Sequence, residues 1–176
     1  MREEERKKVF VEILEKYEVK IFNLVYWRVG DYEEAKDLTQ DIFLKVYKAL
    51  PSFRGEAKYY TWIYRIALNH ISRYLKKKKF WKILSLENLR ETSLKTSNPE
   101  DPLSQPSKKL IREKAMNLPS PFRDVVLLYY FDNRSYEEIA EILGISEGTV
   151  KSRLSRSRKI LSNWLKDMKD VWFKGG

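Results

Sequence analysis

Two stripes of polar side chains at helical spacing are the residues of this chain best suited to chemistry. Near the carboxy end, Thr149, Ser152, Arg156 and Lys159 fall on one face when projected at about 100° per residue, with Lys151, Arg153 and Ser155 beside them. Arginine can fork onto guanine O6 and N7, and short hydroxyls reach phosphates or base edges, which is what a major-groove reader needs. Farther up the chain, Lys58, Trp62, Arg65, Asn69, Arg73 and Lys76 recur at spacings of three and four, with Phe53, Tyr59, Tyr60 and Tyr64 around them. Cations track phosphates while rings stack on unpaired bases, so this mixture suits single-stranded or opening DNA. The plainer reading, in which such rings are core and such charges a solvated face, stands beside it. A loop, Arg54-Gly55-Glu56-Ala57-Lys58-Tyr59, precedes this stripe, and Gly55 lets it approach a nucleotide backbone closely.

A third face has the opposite character. Asp37, Gln40, Asp41, Leu44 and Lys48 share one side of a helix. Carboxylates are repelled by DNA, so this side is either a protein-binding surface or a merely solvated one.

Composition removes whole classes of function. Cysteine is absent and His70 is the one histidine, which excludes a disulfide scaffold, a thiolate zinc site, a cysteine nucleophile and a histidine metal cluster. No paired-carboxylate cleft, nucleophile–base set or glycine-rich phosphate loop is present. The expectation is therefore a non-enzyme with no catalytic residues, no cofactor and no metal. No run of about 18 apolar residues occurs, and Met1 leads straight into Arg2-Glu3-Glu4-Glu5, so a soluble, cytoplasmic chain is expected.

Charge is unevenly spread along the 176 residues. The formal net charge is +10; residues 1–50 carry −1, residues 51–82 carry +8, residues 83–107 carry −2 and residues 108–176 carry +5. Two separated positive blocks fit two contacts with one extended polyanion.

The elements that must position these faces read as helices throughout. Phe10, Ile13/Leu14, Tyr17, Ile21 and Leu24/Val25 mark a first helix ended by Gly30, and Asp31 with Glu34 caps a second. That second helix buries Ala35, Leu38, Ile42, Val46 and Ala49, and Pro51 stops it. A third runs from about 60 to 79 on Ile63, Ile66/Ala67, Ile71 and Tyr74. Periodicity is lost over 85–107, where serines mix with Pro99, Pro102 and Pro106, the composition of a linker. A helix over about 108–117 and another to Phe131 follow. Ser135-Tyr136-Glu137-Glu138 then opens a helix burying Ile139, Ala140 and Leu143, Gly144 supplies a tight turn, and Ser146 caps the last helix. The last helix has its apolar side at Val150, Leu154, Leu161, Trp164/Leu165, Met168 and Trp172. The pattern is all-α: two small helical domains, 1–84 and 108–176, on a flexible Ser/Pro-containing linker at 85–107, the second with a helix-turn-helix.

Certain runs are those of a known family. Asp37-Leu38-Thr39-Gln40-Asp41-Ile42-Phe43, Phe53-Arg54-Gly55 and Tyr60-Thr61-Trp62-Ile63-Tyr64-Arg65-Ile66-Ala67-Leu68-Asn69 resemble region 2 of bacterial extracytoplasmic-function (ECF) sigma factors. Leu118-Pro119, Ser135-Tyr136-Glu137-Glu138-Ile139-Ala140 and Gly148-Thr149-Val150-Lys151-Ser152-Arg153-Leu154 resemble region 4 of the same class. The resemblance implies an initiation factor that binds core RNA polymerase and directs it to promoters, often with a paired anti-sigma factor. It implies that Asp37, Gln40, Asp41 and Leu44 face polymerase. Arg54, Lys58, Tyr59, Trp62, Arg65, Asn69, Arg73 and Lys76 would then contact the −10 element, with a base flipped from the stack. Thr149, Lys151, Ser152, Ser155, Arg156 and Lys159 would contact the −35 element; Ser155 stands where relatives can carry a bulkier side chain. Two alternatives stand beside it. A stand-alone helix-turn-helix regulator would give the acidic face no role, and a peripheral membrane protein would use Lys76–Lys82 with Phe80 and Trp81 as an anchor.

Overall fold

The computed structural model describes residues 2–84 and 106–172, and the chain divides into two compact units, Met1–Asp101 and Pro102–Gly176. The described residues form helices and no strands. The expected linker over 85–107 lies outside what is described as far as residue 105, while 106 and 107 already begin the helix expected from 108; the side chains expected to pack at Leu165, Met168 and Trp172 also lie outside what is described.

The amino-terminal unit is built on α1 (Glu3–Val29), α2 (Tyr32–Ala49) and α3 (Tyr59–Leu84). Gly30 ends α1 in the left-handed conformation at φ +83°, where a side chain would be strained, and its N–H closes on the Tyr26 carbonyl. Asp31 then accepts the Glu34 N–H at 2.9 Å and starts α2. Phe10 lies against Phe43 and Tyr47 while Phe22 lies against Tyr32, so α1 and α2 run antiparallel. Lys78 reaches Glu34 and His70 reaches Asp41, which makes α3 antiparallel to α2.

Ile13, Tyr17, Ile21, Leu24 and Val25 meet Ala35, Leu38, Ile42 and Val46 of α2 and Ile63, Tyr64, Ala67 and Ile71 of α3 in one core. Burying each large side chain here contributes about 1.5–3 kcal/mol. Ala49, Ile66 and Tyr74, expected in that core, are half-buried at its margin. Pro51 ends α2 in a short 3₁₀ turn, Leu50–Ser52. The third helix continues to Leu84, past the expected stop at 79. No glycine or proline lies between Gly55 and Pro99 to break it, and the Glu34 carboxylate holds Lys78 with both oxygens.

The carboxy-terminal unit holds α4 (Pro106–Asn117), α5 (Ser120–Val126), α6 (Tyr136–Leu143) and α7 (Glu147–Trp172). Its core is Ala115, Leu118, Val125–Leu128, Ile139, Ile142, Val150 and Leu154. After α5 the chain does not stay α-helical to Phe131 as the pattern suggests. Leu127–Phe131 forms a wider π turn in which the Asp132 N–H reaches back five residues to the Leu127 carbonyl. In α6 the buried partner of Ile139 is Ile142, and Leu143 is half-buried. With barely two turns, the helix tilts its i, i+3 pair inward rather than i, i+4.

Candidate functional site

The turn that presents α7 is held at both ends. Ser135 accepts the Glu138 N–H at 3.1 Å while Glu138 accepts the Ser135 N–H at 2.9 Å, a complete capping box. Arg134 pairs with Glu138 at 3.0 Å and with Asp132. Burial pushes the Glu138 carboxyl up, but the Ser135 N–H and Arg134 pull harder, leaving it below the ordinary carboxylate range. Gly144 turns the chain at φ +65°, and Ser146 accepts the Thr149 N–H at 3.2 Å to start α7.

On α7, Val150, Leu154 and Ser157 are buried, and Lys151, Ser152, Ser155, Arg156 and Lys159 are exposed, with Thr149 half-buried beside them. All six residues assigned to −35 contact therefore share the outward side. Two of the hydroxyls are already committed. Ser152 donates to the Thr149 carbonyl at 3.0 Å, and Thr149 Oγ1 lies 2.9 Å from Ser146 Oγ. Ser152 thus presents lone pairs outward and suits an amino donor such as cytosine N4 or adenine N6 better than a phosphate.

The second stripe lies along α3. Arg65, Asn69, Arg73 and Lys76 are exposed and Trp62 is half-exposed. From Lys58 to Lys76 the line spans about 27 Å at the α-helical rise. At its start the rings pack on one another: Phe53 is stacked on Tyr59 with centroids 4.6 Å apart and lies 4.9 Å from Trp62. Tyr59 is 36% exposed and forms the outer ring. Tyr64, placed beside this face by spacing, is instead fully buried. It shares the Ile63 and Ala67 side of α3 and belongs to the core.

The loop before α3 bends at Gly55, φ +72°, and exposes Arg54, whose 3.9 Å pairing with Glu56 is largely solvent-screened. Lys58 lies 5.7 Å from the Tyr60 ring centre. Lys78, though in the lysine run, is engaged by Glu34. Beside it, burial and then the Glu34 charge push the Tyr74 hydroxyl up to about 12.

On α2, Asp37, Gln40, Asp41 and Leu44 are all exposed, Leu44 at 56%. Asp41 lies 3.8 Å from His70 Nε2. Burial, with Lys45 adding to it, lowers the His70 pKa and Asp41 only partly opposes this, so the ring is neutral at pH 7. Next to Gln40 a groove of about 300 Å³ opens between α1 and α2, lined by Val19, Phe22, Tyr32, Lys36 and Thr39. Sequence spacing along α2 alone does not reveal it, because half its lining comes from α1. Among the described residues no group of acidic or histidine side chains is arranged to hold a metal ion, and no helix is long and apolar enough to cross a membrane. At the end of α3, Phe80 and Trp81 are both more than half exposed.

A capped helix-turn-helix with cations and hydroxyls outward defines an all-α DNA-binding protein. Residues 13–80 match Sigma-70 region 2, and residues 108–161 match Sigma-70, region 4. The chain is 37% identical to the ECF RNA polymerase sigma factor SigW of Bacillus subtilis (strain 168), over 90% of each chain. It is 34% identical to the ECF RNA polymerase sigma-E factor of Escherichia coli (strain K12), over 93% of this chain and 96% of that one.

Among solved structures, the sigma factor RpoE in complex with the anti-sigma factor NepR from Bartonella quintana aligns with a TM-score of 0.71. That match has 24% identity and covers 90% of this chain and 98% of that one. CnrH in complex with the cytosolic domain of CnrY aligns at 0.68, with 20% identity, over 92% and 90%. These two matches concern the fold. The chain belongs to the ECF RNA polymerase sigma factors.

Proposed function

We propose that this sigma factor directs core RNA polymerase to its promoters through three faces that share no residue. The outer side of α2, with Asp37, Gln40, Asp41 and Leu44, docks on polymerase. The loop Arg54–Tyr59 and the α3 line Trp62, Arg65, Asn69, Arg73 and Lys76 contact the −10 element. The outer side of α7, with Thr149, Lys151, Ser152, Ser155, Arg156 and Lys159, reads the −35 element. The chain works by binding, in the cytoplasm, with no chemistry of its own. An anti-sigma partner belongs to the same reading: a protein seated on the α2 face would compete directly with polymerase.

The observation that carries this reading is the separation of charge within one small unit. On the outer side of α2 Asp37 and Asp41 stand among Lys36, Lys45 and Lys48, close to neutral in sum, while along α3 the exposed cations Arg65, Arg73 and Lys76 follow the rings at its head. A surface for protein and a surface for nucleic acid are thereby kept apart on helices that share a core. Phe53 stacked on Tyr59, with Trp62 tilted against Phe53, offers a platform for an unstacked base, where each stacked base contributes about 1–3 kcal/mol. Arg156 offers the fork for a guanine in duplex DNA.

The test is in-vitro transcription with core polymerase and a library randomised at the −10 and −35 positions. Enrichment of one −10 and one −35 sequence, dependent on the added chain, is the expected result. Transcripts that start regardless of promoter sequence would overturn it.

A further inference from the structure

The last turns of α3 carry side chains that none of the three faces uses. Phe80, Trp81 and Ile83 are 58%, 57% and 67% exposed, and the two rings meet edge-to-face with centroids 6.0 Å apart. At about 100° per residue the three side chains cover an arc of about 160°. Phe80 stands at i+11 from Asn69 and i+7 from Arg73, so the arc lies on the side proposed for −10 contact, away from Tyr64, Ala67 and Ile71 in the core. Apolar side chains exposed singly need no partner, but a contiguous patch rimmed by charge marks a contact surface.

The charge around the arc is of one sign. Five lysines fall within residues 76–82, and no carboxylate occurs in the sequence between Glu56 and Glu87. Lys78 is taken by Glu34 of α2, whereas Lys77 and Lys79 are exposed. In helical projection Lys79 falls beside Ile83, and Lys77 falls between Phe80 and Trp81 nearer the amino end. Their stems can lie along the arc while their ammonium groups reach outward.

Duplex DNA would satisfy the lysines and leave the rest in water. It presents phosphate and sugar, and a ring enters it by unstacking a base step. A base already unstacked at the head of α3 is out of reach, because Trp62 and Phe80 are 18 residues apart, about 27 Å along the helix. The interface of an anionic bilayer accepts both kinds of side chain at once. Phenylalanine and isoleucine enter the acyl boundary, tryptophan settles at headgroup depth, and lysines meet lipid phosphates.

We propose that Lys77, Lys79, Phe80, Trp81 and Ile83 form a contact for an anionic bilayer surface, with the end of α3 lying shallowly at the headgroup boundary. A patch this small gives weak, reversible seating rather than an anchor. Because the arc continues the side of α3 that carries Asn69, Arg73 and Lys76, a seated chain does not present that side to a promoter. Lipid and promoter therefore compete, a consequence that rests on α3 as the −10 face.

The experiment sediments the full chain with vesicles of phosphatidylcholine alone, or of equal parts phosphatidylcholine and phosphatidylglycerol. Binding is expected to the mixed vesicles and not to phosphatidylcholine, and it should fall as salt rises. Phe80→Ser with Trp81→Ser should lower the partition about 10-fold or more, and Lys77→Gln with Lys79→Gln by about as much. All four side chains are exposed, so circular dichroism should not change. With core polymerase, the Phe80→Ser/Trp81→Ser variant should bind promoter duplex as the parent does. No binding of the parent to the mixed vesicles, or equal binding by the Phe80→Ser/Trp81→Ser variant, overturns the proposal. So does a loss of promoter or polymerase affinity in that variant with vesicle binding unchanged, which would make the patch a DNA or protein contact. Promoter duplex added with core polymerase should release the chain from the vesicles. If the chain stays bound while both variants behave as expected, the lipid contact stands and the reading of α3 as the −10 face has failed.

Discussion

The two units prepare for nucleic acid with different side chains. The amino-terminal unit offers rings: Phe53 stacks on Tyr59 and meets Trp62 at a tilt, at the head of a line of exposed polar and cationic residues. The carboxy-terminal unit offers hydroxyls and guanidinium groups whose hydrogen bonds are largely fixed beforehand, as in Ser152 to Thr149 and Arg158 to Tyr130. A base taken out of the stack exposes a π face and leaves its sequence edge to be found. A base pair in the groove exposes donors and acceptors at set positions. Rings tolerate imprecise placement, and forked donors do not. This difference in side chains underlies the proposal that the amino-terminal unit meets opened DNA and the carboxy-terminal unit meets duplex.

The largest expected effect lies on the face that touches no DNA. Asp37→Ala with Gln40→Ala should leave the fold and melting temperature unchanged, since both side chains lie outside the core. Binding to core polymerase, measured by competition, should fall about 30-fold or more, the lower end of what losing a desolvated charge at an interface costs. Unimpaired binding by the folded double variant would mean that the α2 face is not where polymerase docks.

Arg156→Ala should cost about 1–3 kcal/mol of −35 recognition and relax preference at one position, measured on a panel of duplexes. Equal losses on every duplex would make Arg156 a phosphate contact. Tyr59→Ala should slow promoter opening on linear templates, and much of the defect should persist on a pre-melted −10 bubble, whose unpaired base still lacks its stacking partner. Full rescue by the bubble would place the ring in opening alone.

Two neighbouring lysines sharpen the comparison within one unit. Lys76→Ala should lower affinity evenly across sequences and flatten the salt slope by about one, because Lys76 is exposed on α3 and is proposed to meet a phosphate. Lys78→Ala should scarcely touch the slope, because Glu34 already holds that ammonium. A slope change from Lys78→Ala alone would show that the ion pair opens on DNA.

The smallest effect concerns acid. His70 has a folded pKa below its unfolded value, so the unfolded chain binds the extra proton first. The stability that neutral His70 contributes is present above the unfolded value near pH 6.5 and is lost as pH falls from there through the folded value. Thermal melts of His70→Gln between pH 7 and 5 should be flatter than those of the parent. Parallel curves would mean that Asp41 fully offsets burial and that the ring titrates alike in the folded and unfolded chain.

Elements with local signals were legible from sequence, and elements set by tertiary contacts were not. Gly30, Asp31, Ser135 with Glu138, Gly144 and Ser146 stand where the structure places caps, because capping depends on residues within four positions. The Lys78–Glu34 contact that ties α3 to α2 joins residues 44 apart, and no window of spacing contains that pair. Tyr64 carries the same ring as its exposed neighbours, and only the packing of three helices makes it core. The six outward residues of α7 follow from a plain helical projection. Arg158 lies on that same helix, but Tyr130, which accepts from it, stands out of α-helical phase.

That loss of phase comes from the π turn at Leu127–Phe131. One more residue is accommodated there than an α-helical turn would take, which leaves Leu127 and Leu128 buried while Tyr129 and Tyr130 follow toward the surface. In genetic terms the segment is a spacer with one residue to spare. Deleting a single codon between Val126 and Phe131 would let the wide turn relax to an α-helical one, which takes one residue fewer for the same rotation, so the chain would still leave toward α6 in its present direction. Only the side chains of the turn itself would shift along it.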